Sequence, residues 1–297
     1  MRKFLVVFFQ YLIFLLALFS VPSIYANTLT IEGSNTIGAV LAPALVTGYL
    51  ESLGAAKVAV VEGQENERQI TAQIKSNKAR GQGSIDFRVE IAAHGSSTGF
   101  HALHNQQADI AAASRPAKKQ EIAKLSGVTV LDSSRSEHII GIDGLAIIVH
   151  PNNPINQLSV TQVAAIFSGE ITNWAELGGR FGSINLYARD NQSGTWDSFK
   201  RMVLEKQALA ENTPRFEAND ELSDAVSVDL NGIGFVGLPS VRRSKLIAVS
   251  DGTSAALKPN QLTVSTEDYA LSRRLYFYTD DDSKNPHVMG FIHFVQS

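Results

Sequence analysis

Three times along this chain a short Ser/Thr/Gly cluster stands where a helical pattern begins. The clusters are Gly33-Ser34-Asn35-Thr36, Gly95-Ser96-Ser97-Thr98-Gly99 and Ser193-Gly194-Thr195. The first two follow β-like runs, and the third follows Ile184-Asn185-Leu186-Tyr187-Ala188 through Arg189. A helix start offers free backbone N–H groups and the positive end of a dipole, and small hydroxyls complete a set that suits a tetrahedral oxyanion. One such cluster is an ordinary cap. Three, with an arginine beside one of them, point to an anion site built at strand-to-helix junctions.

The rest of the pattern alternates strands and helices, which argues for an α/β fold. Strand-like segments are Thr28–Ile31, Val58–Val61, Phe87–Ala92, Asp109–Ala112, Ile233–Val236 and Leu275–Tyr278. Helical ones are Ala39–Tyr49, Gly99–Asn105, Val160–Phe167 with Ser159 or Thr161 as cap, Ser198–Lys206 and Leu222–Val228. Residues 63–84 are rich in Gln, Glu, Asn, Lys and Arg, with Ile70 and Ile74 four apart. They read as a solvated helix or an excursion from the core. Ile139–Val149 is apolar and too long for one ordinary strand, so it is expected to carry the chain between two lobes. The last residues, Gly290–Ser297, look like an amphipathic helix that has barely started, either frayed or cut short.

At the N-terminus, Arg2-Lys3 precedes an apolar stretch from Phe4 to Phe19, and small residues surround a cut after Ala26. This is the three-part pattern of a secretory signal peptide, residues 1–26. It is short of the roughly 20 apolar residues that span a bilayer. The chain contains no cysteine, which excludes disulfides and cysteine-ligated zinc. Removing Arg2 and Lys3 makes the net charge more negative than the full chain's −3, which argues against nucleic acid as a partner. An anion site here must draw on local donors.

With these clusters the chain resembles the periplasmic phosphate-binding proteins that serve ABC transporters, of the type II periplasmic binding protein family. The stretches that carry the likeness are Ala93–Phe100, Ala108–Pro116, Ile166–Trp174, Arg189–Thr195 and Ala270–Tyr276. The resemblance implies two α/β lobes joined by crossover hinge strands, closing on the ligand as a clamshell. The expected lobes are residues 27–140 with 252–297, and residues 141–251. It implies an exported protein that captures inorganic phosphate in the periplasm and delivers it to ABC permease subunits as a monomer, without cofactor, metal or catalysis.

Carried over by motif, Ser34, Asn35 and the Thr36 hydroxyl would face the anion, with the Ile37 backbone N–H beside them. Ser96 and Ser97 would contribute from the second helix start. Arg189, Ser193, Gly194 and Thr195 would grip from the other lobe, with Asp190 holding Arg189 and the guanidinium supplying a charge-assisted bond. Some relatives place a carboxylate at Ser114 to accept the proton of bound phosphate. Here Ser114 precedes Arg115, and Asp143 is the expected replacement acceptor.

The rival reading is a secreted serine hydrolase, because Gly95-Ser96-Ser97-Thr98-Gly99 fits the G-x-S-x-G elbow and Asp143 and His293 follow in order. It would leave the other two clusters without a purpose. His94, His101 and His104 lack a third ligand of clear spacing and read as solvated or core residues. Arg115 reads as paired with a carboxylate or facing the cleft, Asp109 as a strand closure or turn cap, and Trp174 and Trp196 as packing. Arg273-Arg274 reads as a solvated sheet edge.

Overall fold

The computed structural model describes residues 27–76, 83–126, 133 and 135–297. The expected signal peptide lies outside them. The first half contains β1 (Thr28–Gly33), α1 (Ala42–Ser52), β2 (Ala55–Glu62), β3 (Glu67–Ser76), β4 (Gly83–Ala92), α2 (Ser96–His104), β5 (Ile110–Ala113) and α3 (Lys119–Leu125). Then come β6 (Glu137–Val149), β7 (Gln157–Ser159), α4 (Val160–Ser168), β8 (Asn185–Arg189), α5 (Gly194–Phe199), β9 (Arg215–Phe216) and α6 (Asn219–Val228). The chain closes with β10 (Gly232–Gly237), β11 (Lys245–Leu246), β12 (Ala248–Ser250), α7 (Gln261–Ser265), β13 (Ser272–Thr279) and α8 (Pro286–Val295).

The main sheet has the order β2-β3-β4-β1-β5-β13-β6-β10-β8-β9, with β11 also on β6. Its organiser is β6. Residues Glu137–Gly144 pair antiparallel with β13, and Leu145–Val149 pair antiparallel with β10. One strand therefore belongs to two sheet regions, as its length foretold. Every residue from Asp143 to Val149 is buried, as expected where both faces are covered.

A separate hydrophobic core lies on each side of this crossing. One gathers Leu29, Val46, Leu50, Val89, Phe277 and Phe291. The other gathers Leu145, Phe167, Trp174, Phe199, Phe235 and, from beyond residue 252, Val264, Tyr269 and Leu271. Trp174 and Trp196 belong to this second core, as read from the sequence. Inside each half the strands nearest the site run parallel: β1 with β4 and β5, and β8 with β10 and β9. Parallel strands send their C-terminal ends to one side, which is where α/β folds place ligands.

Two expectations are corrected. Residues 67–76 form β3, antiparallel to β4, and not a helix. The spacing of Ile70 and Ile74 conceals a period of two, since Ala72 between them is also buried while Gln73 is exposed. The C-terminal helix starts earlier than expected, at Pro286: Asn285 caps its start by accepting from His287 N at 3.1 Å, and Val288, Phe291 and Ile292 pack in the first core. Ser159, one of two candidates, caps α4 and accepts from Gln162 N at 3.1 Å.

Candidate functional site

The strand ends β1, β4, β5, β8 and β10 all open onto one seam between the two cores. Behind β1, Gly33 has φ +134°, and a Cβ there would sit 2.2 Å from Ala112 O. Only glycine fits, and it releases Ser34-Asn35-Thr36 into the seam ahead of a π-helical turn at Ile37–Leu41. Gly95 has φ +126° and stands ahead of α2. The third cluster begins α5, where Ser193 Oγ caps the helix by accepting from Thr195 N at 3.1 Å and Trp196 N at 3.2 Å.

The clusters converge. Thr36 Oγ1 and Thr195 Oγ1 hydrogen-bond across the seam at 3.0 Å. A Cβ on Gly194 would lie 2.0 Å from Ser96 Oγ and 2.6 Å from Ser114 Oγ. Ser96 Oγ accepts from Ser114 N at 3.1 Å, which leaves its proton to donate. Ser97 N donates to Gln192 O at 3.2 Å, and Ser198 Oγ donates to Ser114 O at 3.0 Å. The two halves are shut upon each other.

Several expected partners are replaced by others. Arg189 is 1% exposed. It is held by Phe216 O at 3.1 Å, by Asn219 Oδ1 and by Glu217 O, not by Asp190. The Asp190 carboxylate instead accepts from Gln192 N and Ser193 N at 2.6 and 3.0 Å. Ile37 N donates to Ser34 O at 3.1 Å, so this N–H is engaged within its own turn. Ser34 is buried and donates its N–H to Ala112 O at 2.8 Å.

Asn35 Oδ1 accepts from Asn219 N and Nδ2 at 3.1 and 3.0 Å. Asn219 Nδ2 also reaches Thr36 Oγ1 at 3.3 Å. Asn219, fully buried at the start of α6, thus links Arg189 to the first cluster. It carries no local motif, and only the tertiary fold places it here.

The larger correction concerns Arg273. Its side chain is 1% exposed and bonds Asp143 Oδ2 through Nε at 3.0 Å and Nη2 at 2.7 Å. Nη2 also donates to Thr36 Oγ1 at 3.3 Å. Only Arg274 is solvated as expected of the pair, with its Nε 3.3 Å from Glu267 Oε1, and it is not at a sheet edge, because β13 lies between β5 and β6. Alternation along β13 could not say which of the two arginines turns inward. The pairing partner settles it, since Arg273 lies opposite Asp143 on β6.

Two guanidiniums, those of Arg189 and Arg273, are buried at the seam. Burial pulls the Arg189 pKa down to about 10, and the charge of Arg273 pushes the same way, while Asp190 and Glu217 oppose them. Ser114 Oγ and Arg273 Nη1 are buried and make no hydrogen bond. Buried donors without acceptors are rare because each costs about 1–3 kcal/mol.

The hydrolase arrangement does not assemble. Ser97 Oγ accepts from Arg115 Nη2 at 3.1 Å, Asp143 is taken by Arg273, and His293 lies on α8 in the C-terminal segment. Arg115 is buried, with Nε 2.8 Å from Asp197 across the seam and Nη2 2.7 Å from Glu121. Lys118 Nζ joins Asp197 at 2.5 Å. His94 lies between Glu217 at 2.8 Å and Glu67 at 3.4 Å, while His101 and His104 are exposed. Among the described residues no group of three or more His, Cys, Asp or Glu is placed to hold a metal. Asp109 ties β5 to β1 by accepting from Thr30 N at 2.8 Å.

The chain resembles known proteins along the same lines. A family model described as a PBP superfamily domain matches residues 83–297. Protein SphX of Synechococcus elongatus is 28% identical over 223 residues, covering 70% of this chain and 65% of that protein. The phosphate-binding protein PstS of Borreliella burgdorferi is 28% identical over 217 residues, covering 71% and 75% respectively. A Clostridium perfringens crystal structure, described as a phosphate ABC transporter substrate-binding protein with bound phosphate, superposes with TM-score 0.68 and 25% identity. That superposition covers 91% of this chain and 93% of the other. An ABC-type phosphate transport receptor from Vibrio cholerae shares the fold, with TM-score 0.62, 23% identity and the same two coverages. The convergence of strand ends on one seam and the match over residues 83–297 agree: this chain belongs to the PBP superfamily.

Proposed function

We propose that the protein is an extracytoplasmic solute-binding protein that captures inorganic phosphate and delivers it to the permease of an ABC-type importer. The observation that carries this reading is the seam itself. Two buried guanidiniums and hydroxyls from both halves meet there, with Ser114 Oγ and Arg273 Nη1 left without acceptors. A tetrahedral oxyanion has the charge and the acceptor count to satisfy them. Hydrogen bonds to a charged group contribute about 1.5–3 kcal/mol each, so a few suffice for tight binding. The phosphate-binding relatives in Borreliella burgdorferi and Clostridium perfringens point the same way.

In this reading the lobes are residues 27–140 with 252–297, and residues 141–251, with Val264, Tyr269 and Leu271 packing into the core of the second lobe. Ser34, Asn35, Thr36 and Ile37 shape one wall of the pocket. Ser96, Ser97 and Ser114 complete that side, Asp143 stands on the crossing strand β6, and Arg189, Ser193, Gly194 and Thr195 close from the other. The protein acts as a monomer in the periplasm after loss of residues 1–26, breaks no bond and uses no nucleic acid. Closure is the state the permease reads, since a ligand shifts an equilibrium only by preferring one form. Among the described residues no helix is long and apolar enough to cross a membrane.

Titration calorimetry of residues 27–297 against phosphate, arsenate and sulfate tests the assignment. Phosphate is expected to bind with one-to-one stoichiometry and sulfate much more weakly. Absence of phosphate binding by a folded sample would overturn it.

A further inference from the structure

We propose that Arg273 is a second anion-binding arginine of the cleft, donating through Nη1, and that Asp143 is its positioning residue. This rests on the phosphate-binding reading above and assigns a division of labour within that site.

A guanidinium has five N–H donors in a rigid planar fork and no acceptor. Arg273 uses Nε and Nη2 on Asp143 Oδ2 and one further Nη2 contact on Thr36 Oγ1. Nη1 is buried and bonds nothing. Arg189, by contrast, has each of its three nitrogens engaged, by Phe216 O, Asn219 Oδ1 and Glu217 O. The buried guanidinium nitrogen with both hydrogens unspent is therefore Arg273 Nη1.

Its surroundings place that donor at the anion site. Arg273 touches Thr36, and Thr36 touches Thr195. Gly194, next along, packs on Ser96 and on Ser114, whose hydroxyl is likewise buried without a hydrogen bond. Arg273 Nη1 and Ser114 Oγ thus stand at opposite ends of one chain of contacts. Arg273 and Arg189 are also close enough for the first to depress the pKa of the second. Two buried like charges facing one region are relieved by an anion between them.

Asp143 takes a role different from direct proton acceptance. One of its oxygens is occupied twice by Arg273, and the two residues lie opposite each other where β13 meets β6. The carboxylate fixes the fork so that Nη1 points away from it. The register holds the pair just before β6 changes partners at Leu145, so the donor sits at the crossing between the halves.

The test compares wild type, Arg273→Gln, Arg273→Lys and Asp143→Asn by calorimetry against inorganic phosphate. Unfolding midpoints with and without phosphate are recorded alongside. Arg273→Gln should remain folded and lose roughly 10- to 100-fold in phosphate affinity, the range for one charge-assisted hydrogen bond. Arg273→Lys should recover part of the loss, because charge returns without the fork. Asp143→Asn leaves a buried arginine uncompensated, so phosphate should raise its unfolding midpoint more than it raises that of wild type. If Arg273→Gln does not fold, the double substitution Arg273→Gln/Asp143→Asn removes both charges at similar volume and carries the same expectation for affinity.

Wild-type phosphate affinity in a folded Arg273→Gln protein overturns the proposal while leaving the phosphate assignment standing. So does an Asp143→Asn protein that binds phosphate and sulfate alike, since that result makes the carboxylate the ligand's own acceptor. A wild-type protein that ignores phosphate removes the underlying reading instead.

Discussion

Arg189 has every guanidinium nitrogen bonded inside the protein, to two backbone carbonyls and the Asn219 amide. It therefore stabilises the join between β8 and the start of α6 as well as charging the cleft. Arg189→Ala is expected to abolish measurable phosphate binding and to cost about 1–3 kcal/mol of stability, since buried acceptors lose their donors. Urea unfolding and calorimetry on the same sample separate the two losses; unchanged affinity would count against its place in the site. Lysine should not rescue it, because a point charge cannot span three acceptors. Arg189 was legible from the sequence because it adjoins a Ser/Gly/Thr cluster. Arg273 was not, because its meaning depends on a partner 130 residues away. Asn219 was equally hidden: an asparagine after an alanine signals nothing until the fold lays it against Asn35.

At the scale of elements, the strand-to-helix junctions were readable because their chemistry is local. Glycines at positive φ open two of the three small-hydroxyl clusters, and the repetition, not any one cluster, marks a site. Strand β3 was misread because solvated charges masked a two-residue period, and edge-proximal strands carry a weaker apolar signal than central ones, whereas Phe87–Ala92 of β4 was read as a strand. The start of α5 supplies a sharper test. Gly194 has Ser96 Oγ, Ser114 Oγ and Ser96 Cβ within 2.8 Å of where a Cβ would lie. Gly194→Ala should leave each half folded and keep the halves from meeting, so phosphate no longer compacts the protein. Small-angle scattering with and without phosphate reads this directly. A radius of gyration that contracts as in wild type would show that the junction yields.

At the scale of the whole molecule, the rim of the seam pairs a histidine with carboxylates from both halves. Glu217 and His94 join opposite halves at 2.8 Å, with Glu67 on the far ring nitrogen. Burial alone would lower the His94 pKa, but the hydrogen bonds and charges of Glu217 and Glu67 outweigh it and raise the value. Glu221 is raised by burial and by the hydrogen bond and charge of Glu65. Glu32 is raised by burial, with Thr98, His94 and His101 opposing.

All three groups hold protons more tightly when folded, so their stabilisation is complete below the unfolded values and fades as pH rises through the folded ones. In phosphate-free buffer the unfolding midpoint should fall from about pH 6 to about pH 8, where imidazole discharges. His94→Gln should flatten that slope; equal slopes in both proteins would remove His94 from the account.

The shared strand sets a further limit on motion. Because β6 is hydrogen-bonded to β13 below Gly144 and to β10 above it, the halves are not joined by a slack tether. Any swing must bend a ladder that stays intact. Amides along residues 141–148 are then expected to resist deuterium uptake equally with and without phosphate. Those of Ser97 and Asn219, whose acceptors lie on the opposite half, should become slow only when the anion is present. The protein would open like a bound book, whose spine keeps its stitching while the pages part.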